Sequence, residues 1–379
     1  MRSPVSWKLG VVAAVVLVTA AVPLDERSTA ATGVGPTLRS IGPLAFGPNG
    51  VLYAADPEAA TIYALELGAQ ASGGAAGTKD IDGIDQQVAA MLGTDAKEIS
   101  IADLAVDPKT RNSYLAVMRG QGTGAKPALM RVDGAGKIDI VSLESVKFSS
   151  VALPNPPDAN PGSNRNPRTQ SVMDMAYQGG RLYIAGLSNE EFASKLWAIP
   201  YPFASADRGT SVEIFHGSHG RLETRSPVYT FLPYAIGGNP YLIAGYLCTP
   251  LVKFPVSDLA PGAKVRGTTI AELGAGNRPI DMILYQKDGK EFLLMSNTSR
   301  GVMKLSTDRF ATEQGITAPV SGTAGVPYET ITSMTGIQQL DLLDSGRAIV
   351  IARTGGLPSQ LGGQRTPPAA LNLHSVVLP

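Results

Sequence analysis

The chain has one cysteine, three histidines and two tryptophans in 379 residues, and 32 acidic side chains balance its 32 basic ones. Each scarcity excludes something. A lone cysteine, Cys248, forms no disulfide within the chain, so stability rests on a sizeable apolar core. The same count excludes zinc motifs built on cysteine pairs. Zero net charge without a clustered Lys/Arg run leaves no electrostatic footprint for nucleic acid. Charged residues are only 17% of the chain and hydrophobic ones 44%, the reverse of a disordered composition. The N-terminal apolar run, Leu9 to Val22, holds about fourteen residues, short of the roughly twenty a membrane helix needs.

That run follows Arg2 and Lys8 and ends in small residues at Thr19-Ala20-Ala21, the order of a secretory signal peptide. Residues 1–21 are read as the signal, 22–38 as a flexible N-terminal segment and 39–379 as a single domain. The implied location is periplasmic or secreted, with no membrane span after cleavage.

What the sequence has in plenty is turn residues, 42 glycines and 28 prolines. With low charge this fits many short strands joined by tight turns. Six segments share one grammar: an apolar strand, a turn, a strand rich in Tyr, Leu, Ile and Ala, a polar loop, and another strand. They begin at Ile41, Ile101, Val172, Phe231, Pro279 and Gln338, about 50 to 70 residues apart. The excess over a four-stranded unit lies in two insertions. One, at 68–98, carries Ile84, Val88, Met91 and Leu92 on one face of a short predicted helix. The other, Val151 to Gln170, is too rich in Pro and Asn for helix or strand. Period-2 strands repeating six times predict an all-β propeller of six blades, with seven as the alternative count, and one short helical insertion.

The stretch "LAFGPNGVLYAADPEAATIYAL" resembles a blade of the NHL, gluconolactonase-like and soluble glucose-dehydrogenase-like propellers. The resemblance implies the fold over most of the chain. It also implies two chemistries seen on such propellers: metal-dependent lactone hydrolysis, and quinone-dependent oxidation of a sugar or alcohol. The signatures of WD repeats and of the Trp-rich eight-bladed quinoproteins are missing. Fold alone does not give function.

Aligned, the repeats carry Pro43, Asp103, Asp174, Pro233, Asp281 and Gln339 just before the first large residue of the innermost strand. In a propeller those positions meet at the mouth of the central channel. Three converging carboxylates raise one another's pKa or recruit a cation; the resemblance implies Ca2+ or another divalent ion at about this place, with Asp103, Asp174, Asp281 and Asn297 as its candidate ligands. The alternative is that each Asp accepts backbone N–H bonds from the neighbouring blade and closes the ring. Loops after the second strands reach the same face with Asp56, Glu58, Arg119, Asn189, Glu190, Cys248, Thr249, Asn297, Arg300 and Arg353. Of these, Asn189 is a neutral oxygen donor, and Arg119, Arg300 and Arg353 suit a carboxylate or phosphate, the groups a bound cofactor would present.

"HGSHGRLETR", residues 216–225, connects the outer strand of the third repeat to the fourth and belongs to the mouth face. Its two glycines and serine argue against a helix. His216 or His219, with Arg300, would be the catalytic groups of an enzyme here, because imidazole suits proton transfer near neutrality. A metal on the two histidines would need a third ligand from Glu223 or a channel aspartate. The structural alternative pairs Glu223 with Arg225. Cys248 reads as a small core-edge residue, reactive only beside cations such as Lys253, and "DIDGID" at 80–85 as a surface turn. Two functions follow. In one, the mouth binds a small-molecule ligand or a periplasmic partner protein without turnover, as in an accessory subunit of a redox or solute-handling system. The other is one of the two enzymes above.

Overall fold

The computed structural model describes residues 35–68, 77, 79–160, 166–248, 250–355 and 370–379. The signal segment 1–21, residues 22–34 and Thr249 lie outside the described residues. The middle strands of the repeats read as continuous apolar runs ("VLYAAD", "LYIAGL", "AIVIA") because both their faces are covered by neighbouring sheets. Six sheets of four or more strands result, arranged as the blades of a propeller.

Blade 1 holds Leu44–Phe46, Val51–Asp56 and Thr61–Glu66, with Lys147–Ala152 as its outer strand. Blade 2 holds Ile99–Val106, Ser113–Arg119, Lys126–Val132 and Ile138–Ile140. Blade 3 runs from Asp174–Gln178 through Arg181–Leu187 and Ser194–Pro200 to Thr210–His216, extended by Arg221–Glu223. Blade 4 runs from Val228–Ile236 through Asn239–Tyr246 and Pro250–Pro255 to Thr268–Leu273 and Thr323–Gly325. Blade 5 holds Pro279–Lys287, Lys290–Asn297, Gly301–Ser306 and Glu329–Ile331. Blade 6 holds Ile337–Asp344, Arg347–Arg353 and Leu371–Val377, completed by Asp80–Ile81. Six blades is the count.

Chain order is not ring order. The apolar core is divided into one cluster per seam, and these join blades 1 and 3, 3 and 4, 4 and 5, 5 and 6, 6 and 2, and 2 and 1. Blade 2 therefore sits between blades 6 and 1. After blade 1 the chain steps backwards round the ring, lends Asp80–Ile81 to the edge of blade 6, builds blade 2, and returns through Lys147–Ala152 to finish blade 1. Two strand exchanges thus tie the N-terminal part into the ring, and each hides an edge that would otherwise be open.

The predicted helix is present at Ile84–Leu92, the only α-helix among the described residues, and ends at Gly93 in the left-handed region. Ile84, Val88 and partly Leu92 pack into the seam between blades 6 and 2. Met91 instead points outward, 40% exposed, and Ala89 takes its place on the buried face. "DIDGID" holds the expected turn at Asp82–Gly83, set between the edge strand Asp80–Ile81 and the start of this helix. No helix among the described residues is long and apolar enough to cross a membrane.

Candidate functional site

Each inner strand enters the channel at the top. In blades 2, 4, 5 and 6 the pairing register shifts by one residue near the strand's start, just before Asp103, Thr230, Asp281 and Gln339. Pro43 and Asp174 hold the equivalent places in blades 1 and 3, each preceding or making the seam contacts described next. The alignment expected for blade 4 is corrected here: Thr230 stands at the mouth, while Pro233 lies further down the strand opposite Leu242.

The aspartates staple blades together. Asp103 accepts the N–H of Leu104 at 2.8 Å and of Leu44, on blade 1, at 2.6 Å. Asp174 accepts those of Met175 and of Phe231, on blade 4, both at 2.7 Å. Asp281 accepts those of Met282 and of Leu340, on blade 6, both at 2.8 Å. Asp341 does the same two residues below Gln339, taking Leu342 and Val106 of blade 2 at 2.7 Å. Gln339 itself donates to the Ala102 carbonyl across that seam at 3.1 Å. Asp341 was missed in the sequence, although it shares a strand face with Gln339 by the two-residue period.

Enclosure within the ring pushes all four carboxyls up, Asp174 to about 7 and Asp341 to about 6. Asp103 and Asp281 rise well above the usual carboxylate range, by burial first and also through the neighbouring aspartates. Each of the four is half-buried. The expected cation sphere of Asp103, Asp174, Asp281 and Asn297 is not assembled. Both oxygens of each carboxylate already hold backbone donors, and the three aspartates do not form a group with ligand atoms within 4.8 Å among the described residues. Asn297 ends the second strand of blade 5, where its Oδ1 accepts the Arg300 N–H at 2.7 Å and caps a turn.

Above this floor lies a cavity of about 970 Å3. Ile41, Pro43, Met118, Val172 and Ile280 supply apolar walls, while Arg39, Glu58, Asn166, Tyr229 and Gln339 supply polar groups. The N-terminal segment is brought there by Asp56, which is fully buried and accepts the N–H groups of Arg39 (2.6 Å) and Ser40 (3.1 Å) and the Ser40 hydroxyl (2.7 Å). Asn166 and Thr169 of the Pro/Asn-rich insertion line the cavity, with Asn166 donating to Glu58 at 3.1 Å. Arg39, Asn166 and Tyr229 carry no motif, and only the ring brings them together.

Several expected residues stay outside this cavity. Arg119 donates to the Gly93 carbonyl at 3.3 Å, and Arg300 to the Ala275 carbonyl at 3.3 Å. Arg353 ends the second strand of blade 6, its N–H bonded to the Gly336 carbonyl, and Asn189 is exposed beside Asn155. Arg39 is the only arginine or lysine in the lining.

"HGSHG" is a tight turn of 3-10 form between Thr210–His216 and Arg221–Glu223. The pairing expected for Glu223 is also corrected. It bonds both histidines, His216 Nδ1 at 2.9 Å and His219 Nδ1 at 2.7 Å, and not Arg225. Burial pushes the His216 imidazole below its ordinary range, outweighing the pull of Glu223. For Glu223 burial acts upward, but the two histidine bonds win and hold it low. Neither histidine lines the mouth cavity, so they do not converge with Arg300 on a common reacting point there.

No protein family matches the chain, and no curated protein matches it. Solved structures do, in overall shape. The PQQ-bound aldose sugar dehydrogenase of Streptomyces coelicolor aligns over 92% of this chain and 98% of its own, at 11% identity and a TM-score of 0.33. An oxidoreductase from Thermus thermophilus, described as a glucose dehydrogenase, aligns over 90% and 98% at 14% identity and a TM-score of 0.34. Extracellular domains 1–2 of Drosophila Semaphorin 1b align over 93% and 87% at 9% identity and a TM-score of 0.38. These are likenesses of arrangement, and no residue assignment follows from them.

Two groups associated with such propellers can be tested on the residues present. A quinone bearing carboxylates needs converging cations, and the cavity offers Arg39 alone. A calcium ion needs several carboxylate oxygens gathered round one point, and Asp103, Asp174 and Asp281, each held to its own seam, do not bring ligand atoms within 4.8 Å of one another among the described residues. Neither group fits.

Proposed function

We propose that the protein is an exported propeller that binds a small polar organic ligand at the mouth of its channel and does not transform it. One observation carries this reading: a cavity of about 970 Å3 on the channel axis, with apolar walls and polar groups donated by several separate segments. That size and mixture suit a compact ligand held by a few directed hydrogen bonds. Arg39 and Glu58 provide one charge of each sign, and burial disfavours the charged form of the carboxyls below. The ligand class is therefore neutral or zwitterionic, with several hydroxyl, amide or amino groups. The expected catalytic set is spread over separate sites, which favours binding over turnover.

Export rests on the order Arg2, Lys8, the apolar run and Ala21. It is checked by sequencing the N-terminus of protein recovered outside the cytoplasm, which should start at Val22.

Binding is checked by native mass spectrometry of freshly purified protein and by calorimetry against a panel of sugars, polyols, lactones and amino acids. Wild type should carry or bind one equivalent, and Ala102→Trp, which plugs the cavity from its lining, should not. Equal binding by both proteins, or no binding of any panel member by wild type, overturns the proposal.

A further inference from the structure

The histidine loop lies away from the mouth cavity and has its own geometry. The outer strand of blade 3 ends at His216, which is buried (1% exposed). The turn at Gly217–His219 folds the second imidazole over the first, ring centroids 3.8 Å apart. The following hairpin strand returns Glu223 to the same side, and its two oxygens take one Nδ1 each. One carboxylate therefore orients both rings. With Nδ1–H donating to Glu223, Nε2 is the nitrogen left with a lone pair on each histidine. His216 Nε2 is enclosed and has no hydrogen-bond partner. A buried polar atom without a partner costs about 1–3 kcal/mol and calls for an explanation.

The next blade supplies a third group. Between the second and third strands of blade 4 the chain turns at Cys248, whose φ is +61°, a strained conformation for a residue with a side chain. Its N–H donates to the Asn277 carbonyl at 2.6 Å, which holds the turn. One nitrogen of each histidine and Cys248 Sγ lie within 4.8 Å of one another, the only such trio of potential ligands among the described residues. The histidine turn is pinned separately. Glu272, fully buried on blade 4, accepts the Gly217 N–H at 2.5 Å, and the Val320 N–H bonds the Gly217 carbonyl at 2.9 Å. Three candidate ligands thus sit on two turns whose backbones are fixed without any ion.

We propose that His216, His219 and Cys248 form a metal site for a borderline-soft divalent transition-metal ion such as Zn2+ or Cu2+, with Glu223 orienting both imidazoles and a solvent-facing fourth position. The donor set selects the class, because two imidazoles and a thiolate suit zinc and copper, whereas calcium and magnesium take oxygen. Two histidines whose second N–H goes to a carboxylate are the usual supporting arrangement around such ions. Tetrahedral bonds of about 2.0–2.1 Å to nitrogen and 2.3 Å to sulfur put ligand atoms roughly 3.3–3.7 Å apart, so closure needs side-chain shifts on the order of an ångström. The open position falls outward, where His219 is 38% exposed and Cys248 half-buried. On binding, the thiol proton leaves to solvent and sulfur coordinates as thiolate. Cys248 thereby takes the place of the third ligand that Glu223 or a channel aspartate was expected to fill.

The test titrates Co2+, Zn2+ and Cu2+ into the full-length chain after dialysis against a chelator. One equivalent of Co2+ should bind with a thiolate-to-cobalt absorption band and be displaced by one equivalent of Zn2+. Preferential Cu2+ binding with an intense copper–thiolate band in the visible also supports the site and names the metal. Cys248→Ser should lose the band while unfolding, without metal, at the wild-type temperature. Glu223→Gln should keep the band and weaken affinity by about 10- to 100-fold. Zn2+ should raise the unfolding temperature of wild type and not that of Cys248→Ser. Binding without a thiolate band, equal affinity in Cys248→Ser, or no stoichiometric binding overturns the proposal. Should either variant fail to fold, alkylation protection decides instead: Zn2+ must shield wild-type Cys248 from iodoacetamide, and unchanged labelling overturns it.

Discussion

Replacing Asp281 by alanine tests what the channel carboxylates are for. A cation ligand could be removed with the ring intact, whereas a staple cannot. Asp281 holds the N–H groups of Met282 and Leu340, both at 2.8 Å, and both residues are buried (6% and 1% exposed). Two buried donors left without acceptors cost about 1–3 kcal/mol each. Channel water can reach part of the gap, and loss of a charge beside Asp103, Asp174 and Asp341 gives some relief. The net destabilisation of Asp281→Ala should therefore lie near the low end, roughly 2–3 kcal/mol. Asp281→Asn keeps one acceptor oxygen but turns an amide NH2 toward the other backbone N–H, so it should cost about 1–2 kcal/mol, less than Asp281→Ala. The assay is urea unfolding followed by tryptophan fluorescence, since Trp197 is buried in the seam of blades 1 and 3 and reports on the ring. An Asp281→Ala protein as stable as wild type would refute the staple.

Other outcomes follow from the same geometry. Asp174 and Asp341 have folded-state pKa values raised to about 7 and about 6, so the folded chain holds more protons than the unfolded one above pH 4. Their contribution is complete below about pH 4 and is lost as pH rises through 6 to 7. Glu190 and Glu223, held low, act oppositely and lose theirs on acidification. Thermal stability should then peak at mildly acidic pH and fall by pH 8; a flat or rising profile from pH 5 to 8 contradicts this. Lys79, 1% exposed and bonded to Arg111, Ser113 and Val132, is pushed down to about 8. The unfolded chain binds the extra proton between about pH 8 and 10.5, so this residue alone makes stability rise across that window; in Lys79→Met the rise should shrink, and an identical slope counts against the assignment. Gly325 has φ +76°, and a Cβ there would lie 2.1 Å from the Ile270 carbonyl oxygen. Gly325→Ala should lower the urea midpoint by the equivalent of about 2 kcal/mol or more, with no change near the mouth.

How much could be read without a structure depended on the range of the interaction concerned. Strand period, turn residues and the repeat of "LAFGPNGVLYAAD"-like units are local, and they made a propeller of six or seven blades legible, with a short helix around Ile84 to Leu92 and five of the six inner-strand starts at one channel mouth. Even the two roles open to the aspartates were legible, because residue type and position limit what a carboxylate can do. The choice between them was not. It depends on the N–H groups of Leu44, Phe231 and Leu340, which lie 57 to 59 residues away along the chain. Ring order was hidden for the same reason: the repeats are nearly alike, and only the seam packing sends blade 2 between blades 6 and 1. Asp341 reaches Val106 across 235 residues by that route. The histidine loop shows the division most sharply. "HGSHG" announced two imidazoles on one turn, but Glu223 as their common support and Cys248 as their neighbour required blades 3 and 4 to pack side by side. Local pattern determines which elements form, because backbone geometry is set by neighbours in sequence. Which side chains meet is decided only when those elements close into a ring.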